Sequence, residues 1–247
     1  MTFHPLQKIE EAKETGLLPE DTYKLILERF YIVEEGIKRI ETATRIKYPI
    51  YYIDPKIILA YDKSNYINSY GIYFARTLPV VSESFGLNIV IQVSGALVAY
   101  GLRGTIHAIL SHEFLHYIDI LNKIRKMEIV SDELSYNLYD GIYKDQEKII
   151  EPSIVFKSDK TLIRHIKKRF SEGFSDRRLE NKVIEKWIDQ RLPTIKDELA
   201  NNFIRIPIDK ISNFKLDESI DNKIQEYEKD IIKYEKKAYS SYKKQRR

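Results

Sequence analysis

The spacing of apolar residues divides the chain into a helical beginning, an extended middle and a second helical part. From the N-terminus to Ile40, apolar positions recur every three or four residues. This period predicts two helices, the first ended by Gly16 and the second opened by Pro19. We therefore expect residues 1–45 to form an N-terminal helical hairpin.

The pattern changes after residue 45 to short runs rich in β-branched and aromatic residues. Such runs, separated by residues that favour turns, are typical of strands. They predict the strands of one sheet at 48–53, 57–61, 69–74 and 87–93. The run at 57–61 is also compatible with a helical turn.

A strongly apolar helix is predicted after these strands, over residues 106–124. It is apolar over most of its circumference, which is typical of a buried helix. Its few polar positions include a narrow stripe of His112, His116 and Asp119, with Glu113 beside it. Solvated stripes usually consist of Lys, Glu and Gln, whereas these residues bind metals and transfer protons.

The second helical part begins after an irregular segment. That segment holds a predicted helix at 131–139 and an extended piece at 152–156. A long helix is predicted over 161–192, and a capping-box pattern at 194–197 predicts a further short helix. Strands followed by helices indicate an α+β fold.

In the last thirty residues, apolar residues recur at alternating spacings of four and three over 220–238 and form an apolar seam. Lys and Glu occupy many of the positions between them. This seam could dock on its own domain or pair with a second chain. The predicted domains are therefore a hairpin at 1–45, a main domain at 46–216 and a charged helical tail at 217–247. For the tail we expect self-association, or autoinhibition by a tail that lies over the cleft.

Composition narrows the chemistry that this chain can perform. Its 247 residues are 43% hydrophobic, which is enough for a substantial core. The absence of cysteine excludes disulfides, Cys-type zinc sites and thiol catalysis. Any zinc must be held by Asp, Glu or one of five histidines. Abundant Ile, Lys, Glu and Tyr with little Gln favours a thermophile protein.

Charge and hydropathy favour a cytoplasmic protein with no membrane partner. The N-terminus lacks a signal-peptide pattern, and the longest apolar stretch, 87–102, is short and interrupted. The 41 basic and 37 acidic residues are mixed, so the net charge of +4 does not favour nucleic acid. The basic runs at 164–169 and 243–247 read as solvated helix faces, although a nucleic-acid contact there stays an alternative.

The segment from His112 to His116 has the form H-E-x-x-H. Two histidines four residues apart lie on one face of a helix, where both imidazoles can hold a single Zn²⁺. In this arrangement Glu113 takes a proton from a zinc-bound water. The alternative is a pair of core or surface histidines that match the pattern by chance.

A catalytic zinc site needs a third protein ligand. The pattern H-x-x-G-x-x-H fails, because Asp119 and Asn122 stand where it requires Gly and His. Asp119 is expected beside the site instead, as a polar partner of a ligand. The better third ligand is Glu172, with Asp176 one turn later to accept the N–H of a ligating histidine and His165 two turns earlier. An ordinary exposed helical glutamate is the alternative for Glu172.

These motifs together resemble the gluzincin clan of zinc metallopeptidases, in which the Glu of an E-x-x-x-D motif is the third ligand. The stretch Ser-Glu-Gly-Phe around Glu172 is also similar to the Asn-Glu-Gly-Phe of gluzincin aminopeptidases. The resemblance implies one Zn²⁺ per chain bound by His112, His116 and Glu172, with Glu113 as general base and Asp176 supporting a ligand.

The resemblance covers residues 46–192, close to the size of minigluzincin peptidases. It implies a zincin-like mixed sheet packed on the H-E-x-x-H helix and on a second helix that carries E-x-x-x-D. The helices at the two ends of the chain are additions to this domain. No G-A-M-E-N-type motif for binding a substrate amino terminus is visible, so the resemblance does not extend to aminopeptidase activity.

The implied reaction is hydrolysis of a peptide or protein substrate by a metalloprotease. His165 is the first candidate to stabilise the oxyanion. The alternatives are a structural role for this histidine and one of the 18 tyrosines as the oxyanion donor. The substrate strand is expected to add to a sheet edge, with 85–93 as the preferred edge. A second hypothesis is a catalytically silent, zinc-containing binding or structural protein that acts through its helical ends.

Overall fold

The computed structural model describes residues 4–61, 70–83, 86–126, 150–171, 173–198 and 207–245. These residues form a mixture of helices and small mixed sheets, which confirms the predicted combination of α and β elements. The α-helices are α1 (Gln7–Glu14), α2 (Glu20–Arg29), α3 (Tyr31–Thr44), α4 (Gly95–Tyr100), α5 (Arg103–Arg125), α6 (Pro152–Val155), α7 (Lys160–Arg169), α8 (Arg177–Val183), α9 (Ile208–Ser212) and α10 (Glu218–Gln245). A π-helical stretch, Ile184–Ile188, directly follows α8.

The strands of the described residues form two sheets of three strands each where one sheet was predicted, so that prediction is wrong. The strands are β1 (Ile50–Asp54), β2 (Ile57–Tyr61), β3 (Tyr70–Tyr73), β4 (Ala75–Ser82), β5 (Gly86–Ser94) and β6 (Thr194–Glu198). One sheet has the order β1-β5-β4, with β1 parallel and β4 antiparallel to β5. The other has the order β3-β2-β6, with β6 parallel to β2.

Strand β5 lies in the interior of its sheet, which overturns the predicted substrate edge at 85–93. Its two sides are occupied by β1 and β4. The sequence pattern did not predict β4 as a strand, because Pro79 interrupts it. Proline is tolerated in an edge strand, and β4 pairs only with β5 among the described residues.

Strand β6 replaces the short helix predicted at 194–197. The backbone N–H of Ile57 donates to the carbonyl of Pro193 at 3.1 Å, and the ladder between β2 and β6 continues from there. The indole of Trp187 also donates to the Pro193 carbonyl, at 3.0 Å. This parallel pairing with a distant strand outweighs the local capping pattern.

Helix α5 is the buried helix that the sequence predicted. It packs against α3 on one side, α7 on another and strand β4 of the first sheet. Its apolar residues are buried along almost its whole length. The polar groups buried with them are Thr105, His107, Ser111 and Glu113.

The N-terminal segment forms three helices where two were predicted. The second predicted helix is interrupted at Phe30, between α2 and α3. Ile9, Ile26 and Ile40 from the three helices are fully buried and belong to the same core as α5. The helices therefore complete the core around the α5 helix.

The long helix predicted over 161–192 is wrong, because the chain leaves the helical conformation between α7 and α8. Gly173 has a φ of +92°, a left-handed conformation that favours glycine. Asp176 then caps the N-terminus of α8 by accepting from the Leu179 N–H at 3.1 Å. Asp176 therefore lies at a helix start and not within a continuous E-x-x-x-D helix.

Of two further local predictions, one is wrong and the other falls on residues outside the described ranges. Residues 152–155 form the short helix α6 and not an extended piece, with Pro152 at the first helical position. The helix predicted at 131–139 lies outside the described residues.

The C-terminal helix α10 docks on its own domain over its first half. Ile224 and Tyr227 are 1% and 4% exposed and belong to the main core. Ion pairs fix this half of α10: Arg125 of α5 pairs with Glu228, and Lys157 pairs with Asp230.

Candidate metal centre

His112 and His116 bring their ring nitrogens together on one face of α5. Their Nε2 atoms are 3.1 Å apart, and the two rings are nearly perpendicular, at 85°. Two nitrogens bound to one tetrahedral zinc at about 2.0–2.1 Å are expected about 3.3 Å apart. The described distance is close to this value, and it also equals that of a hydrogen bond between the two rings.

The imidazole of His112 is held by an aromatic neighbour. The ring of Phe170 stacks on it, with centroids 3.8 Å apart and planes 7° apart. Its Nδ1 is buried and has no hydrogen-bond partner within the described part of the chain. Burial, followed by the neighbouring His116, lowers the pKa of His112 well below its usual value. The ring is therefore neutral near pH 7, which is the state that binds metals.

Glu113 points towards the sheet and is 7% exposed. The hydroxyl of Thr77, on β4, lies 2.8 Å from Oε2 of Glu113 and 3.0 Å from its backbone carbonyl. The Glu113 carboxylate also contributes to the raised pKa of Tyr48, after the larger effect of burial. The structure thus holds a carboxylate in a buried position beside the first histidine.

Glu172, the predicted third ligand, lies outside the described residues. Of the aromatic residues on either side of it, Phe170 contacts the histidine pair directly and Phe174 packs on Phe170. Phe170 stacks on His112, and Phe174 contacts both Phe170 and Phe74 with centroids 5.4 and 5.3 Å apart. Within the described ranges, no group of three or more His, Asp or Glu side chains is placed to hold a metal.

The two aspartates predicted to support the ligands make other contacts. Asp176 accepts from the Thr105 hydroxyl at 2.6 Å and lies 3.6 Å from Arg169. Thr105 precedes His112 by seven residues, which is about 10 Å along a helix. Asp119 pairs with Lys123 at 2.7 Å. The structure therefore does not bring either carboxylate to a described histidine of the pair.

His165, on α7, packs against the beginning of α5, away from the histidine pair. A Cβ added at Gly104 would lie 2.9 Å from Cε1 of His165, so the missing side chain of Gly104 permits this close packing. Gly104 precedes His112 by eight residues, about 12 Å along the helix. Burial, then the charge of Arg169, lowers the pKa of His165. The predicted oxyanion residue is therefore not part of the described centre.

Two contacts of this centre were absent from the sequence prediction. Thr77 was missed because its strand was not predicted, and Phe170 because it was placed inside a continuous helix. An alternating run around Pro79 was the only available signal for Thr77. Stacking of Phe170 on a histidine 58 residues away leaves no local signal.

Comparison of the chain with models of protein families, with curated proteins and with solved structures finds no match. In the part of the chain that the structure describes, no helix is both long and apolar enough to cross a membrane.

Proposed function

We propose that this protein is a zinc-dependent peptidase. The observation that carries the proposal is the convergence of the two Nε2 atoms of His112 and His116 at 3.1 Å, with the buried carboxylate of Glu113 on the adjacent residue. This is the arrangement that hydrolytic zinc enzymes with H-E-x-x-H helices require.

The side chains fit zinc in their chemistry. Imidazole nitrogens and carboxylate oxygens are the zinc ligands available to a chain without cysteine. His112 and His116 would supply two nitrogens. Glu172 would supply the third donor, and the packing of Phe170 against His112 supports this role because Phe170 is only two residues away in the chain.

The zinc, when bound, would lower the pKa of a water and polarise the scissile carbonyl of the substrate. The Glu113 carboxylate would take the proton of that water and pass it to the leaving amine. Thr77 would hold this carboxylate in one orientation by donating to Oε2. Burial keeps His112 neutral, so the ligand does not have to lose a proton before binding.

Metal content tests the proposal. Elemental analysis of the purified protein should find one zinc per chain, and His116→Ala and Glu172→Ala should each lose or weaken it. His165→Ala is the matched control, because this histidine lies away from the pair and its removal should leave zinc unchanged. The proposed ligands are wrong if no zinc binds even after reconstitution. They are also wrong if Glu172→Ala leaves the zinc content unchanged.

The activity itself is tested separately. Glu113→Gln should retain zinc and abolish cleavage of a peptide library, because an amide cannot accept the proton. Undiminished cleavage by this variant contradicts the role of Glu113. A zinc-loaded wild type that cleaves no member of the library favours the alternative, a silent zinc-containing binding protein.

A further inference from the structure

Helix α7 carries charge of one sign only. It has five basic residues and no acidic residue. Its inner side buries Leu162 and Ile166, and the helix packs against α5. The exposed basic side chains, which we call the basic face, are Lys160, Arg164, Lys167 and Lys168. Spacings of three and four residues place them together on the outer side of the helix.

The stability of the helix does not explain the whole basic face. The helix dipole favours cations in the last turn, which accounts for Lys167 and Lys168, but it opposes Lys160 in the first turn. Arg164 has a like charge four residues away on each side, and such pairs weaken a helix. The basic face therefore destabilises α7 slightly unless a partner neutralises it.

The acidic residues next to α7 in the chain leave most of this charge in place. Asp159, at the N-cap, pairs with Arg39, and Glu151 pairs with Lys167. For the other three residues of the basic face, the described part of the chain provides no ion pair. These three cations extend over eight residues, about 12 Å along the helix. A row of regularly spaced cations is complementary to a chain of regularly spaced phosphates.

An exposed aromatic ring lies near this row. Tyr234 of α10 is 49% exposed. Its hydroxyl raises the pKa of Lys167, as the hydrogen bond to Glu151 does more strongly, so the phenol lies close to the basic face. Cations that follow a phosphate backbone, together with an aromatic ring on which a base can stack, are the parts of single-strand binding sites.

An anionic membrane surface fits α7 less well. Helices that lie on membranes turn large apolar side chains towards the lipid. The exposed side chains of α7 include no apolar residue, because its apolar side is buried in the protein core. Duplex nucleic acid also fits less well, since its stacked bases are not available to Tyr234.

We propose that the basic face of α7 binds the phosphates of a single-stranded nucleic acid, with one base stacked on Tyr234. The small net charge of the chain does not oppose this proposal, because the relevant cations are gathered on one helix. The proposal does not rest on the peptidase activity proposed above.

The test is fluorescence anisotropy of a labelled oligothymidylate of about 12 nucleotides, titrated with the full chain at several salt concentrations. We expect a dissociation constant of roughly 1–100 µM at physiological salt. Three phosphate contacts, at about 0.7 each, predict a slope of about −2 for the logarithm of the association constant against the logarithm of the salt concentration.

Charge reversal locates the phosphate contacts. Arg164→Glu combined with Lys168→Glu should weaken binding by about tenfold or more and reduce the slope to about −0.7. Lys24→Glu combined with Lys215→Glu is the matched control, because it changes the net charge equally at exposed residues outside the basic face. The control should change the affinity by less than about twofold, since salt screens distant charges.

The stacking contact is tested by two changes at one position. Tyr234→Ala should weaken binding by about tenfold through the lost stacking. Tyr234→Phe keeps the ring and should bind as the wild type does. Circular dichroism checks that all variants keep their helices.

Four results would overturn the proposal. One is the absence of binding at 50 mM salt. Another is an equal loss of affinity in the two charge-reversal proteins, which would reflect net charge alone. The third is unchanged affinity in Tyr234→Ala. The fourth is tighter binding to phosphatidylserine vesicles than to the oligonucleotide, which would indicate a membrane surface instead. Zinc content is measured independently, so failure here leaves the proposed metal centre standing.

Discussion

At the scale of single residues, Thr77 links the sheet to the glutamate of the H-E-x-x-H segment. Thr77 is 2% exposed and its hydroxyl lies 2.8 Å from the Glu113 carboxylate. A buried carboxylate that loses a hydrogen-bond donor is destabilised by about 1–3 kcal/mol.

We therefore expect Thr77→Val to lower the free energy of unfolding by about 1–3 kcal/mol, because valine keeps the shape of threonine but lacks the hydroxyl. Thr77→Ser keeps the hydroxyl and should lose less. Urea unfolding of the three proteins measures the difference. Equal stability of the Val and Ser variants would show that this hydrogen bond does not stabilise the fold.

A second residue-scale prediction concerns His107. This histidine is 2% exposed, with Nε2 3.2 Å from the Ile32 carbonyl and Nδ1 3.4 Å from Nη1 of Arg39. Burial, then the charge of Arg39, lowers its pKa from 6.5. Below about pH 6.5 the unfolded chain therefore binds a proton that the folded chain does not.

The contribution of His107 to the free energy of unfolding should be constant above about pH 6.5. It should fall as the pH drops towards the lowered pKa of folded His107. The burial of His112 and His165 acts in the same direction, so the wild type alone does not isolate His107. His107→Gln should show a shallower fall of the unfolding midpoint between pH 7 and 5. A pH profile parallel to that of the wild type contradicts the prediction.

At the scale of elements, the segment between α7 and α8 supplies an aromatic contact to the histidine pair. It carries Phe170, which stacks on His112 where no described partner bonds to Nδ1. In most metal sites that second nitrogen donates to a polar partner that orients the ring. In the proposed zinc site, the stacking of Phe170 would therefore orient the His112 ring.

We expect Phe170→Leu to weaken zinc binding by about tenfold, the lower end of what loss of an orienting partner usually costs. Phe174→Leu is the control, because Phe174 contacts Phe170 and Phe74 and no contact between it and the histidine pair is described. Competition with a chromophoric chelator measures both affinities. An effect that is equal in the two variants would point to general loosening of the aromatic cluster.

At the scale of the whole molecule, the C-terminal helix belongs to the core for half of its length. Ile224 and Tyr227 are buried, whereas Ile232 and Tyr234 further along are about half exposed. The described part of α10 therefore supports docking on its own domain as the role of the first part of the seam.

Removal of residues 217–247 should lower the free energy of unfolding by roughly 3–6 kcal/mol, the value of two large buried apolar side chains. Removal of 237–247 alone should change it little, because the buried residues remain. Denaturant unfolding measures both truncations. If the protein without residues 217–247 is stable and cleaves peptides faster than the full chain, the tail acts as an inhibitor. If it is stable and cleaves peptides at the same rate, autoinhibition by the tail is excluded.

Several features of the fold follow from local sequence alone. The apolar period of α5 and the four-residue spacing of His112 and His116 place both imidazoles on one helical face wherever the helix forms, and the structure confirms this. The predicted strands at 48–53, 57–61, 69–74 and 87–93 are confirmed to within a few residues. In each case the information lies in neighbouring residues.

Other features depended on partners that are distant in the chain. Strand β6 forms because β2 pairs with it, the helix expected over 161–192 is interrupted between α7 and α8, and Thr77 meets Glu113 across 36 residues. The sequence by itself determined which side chains can bind a metal and on which helix they stand. The tertiary structure decided what surrounds them, because burial, stacking and pairing between distant segments outweigh local preferences of less than about 1 kcal/mol per residue.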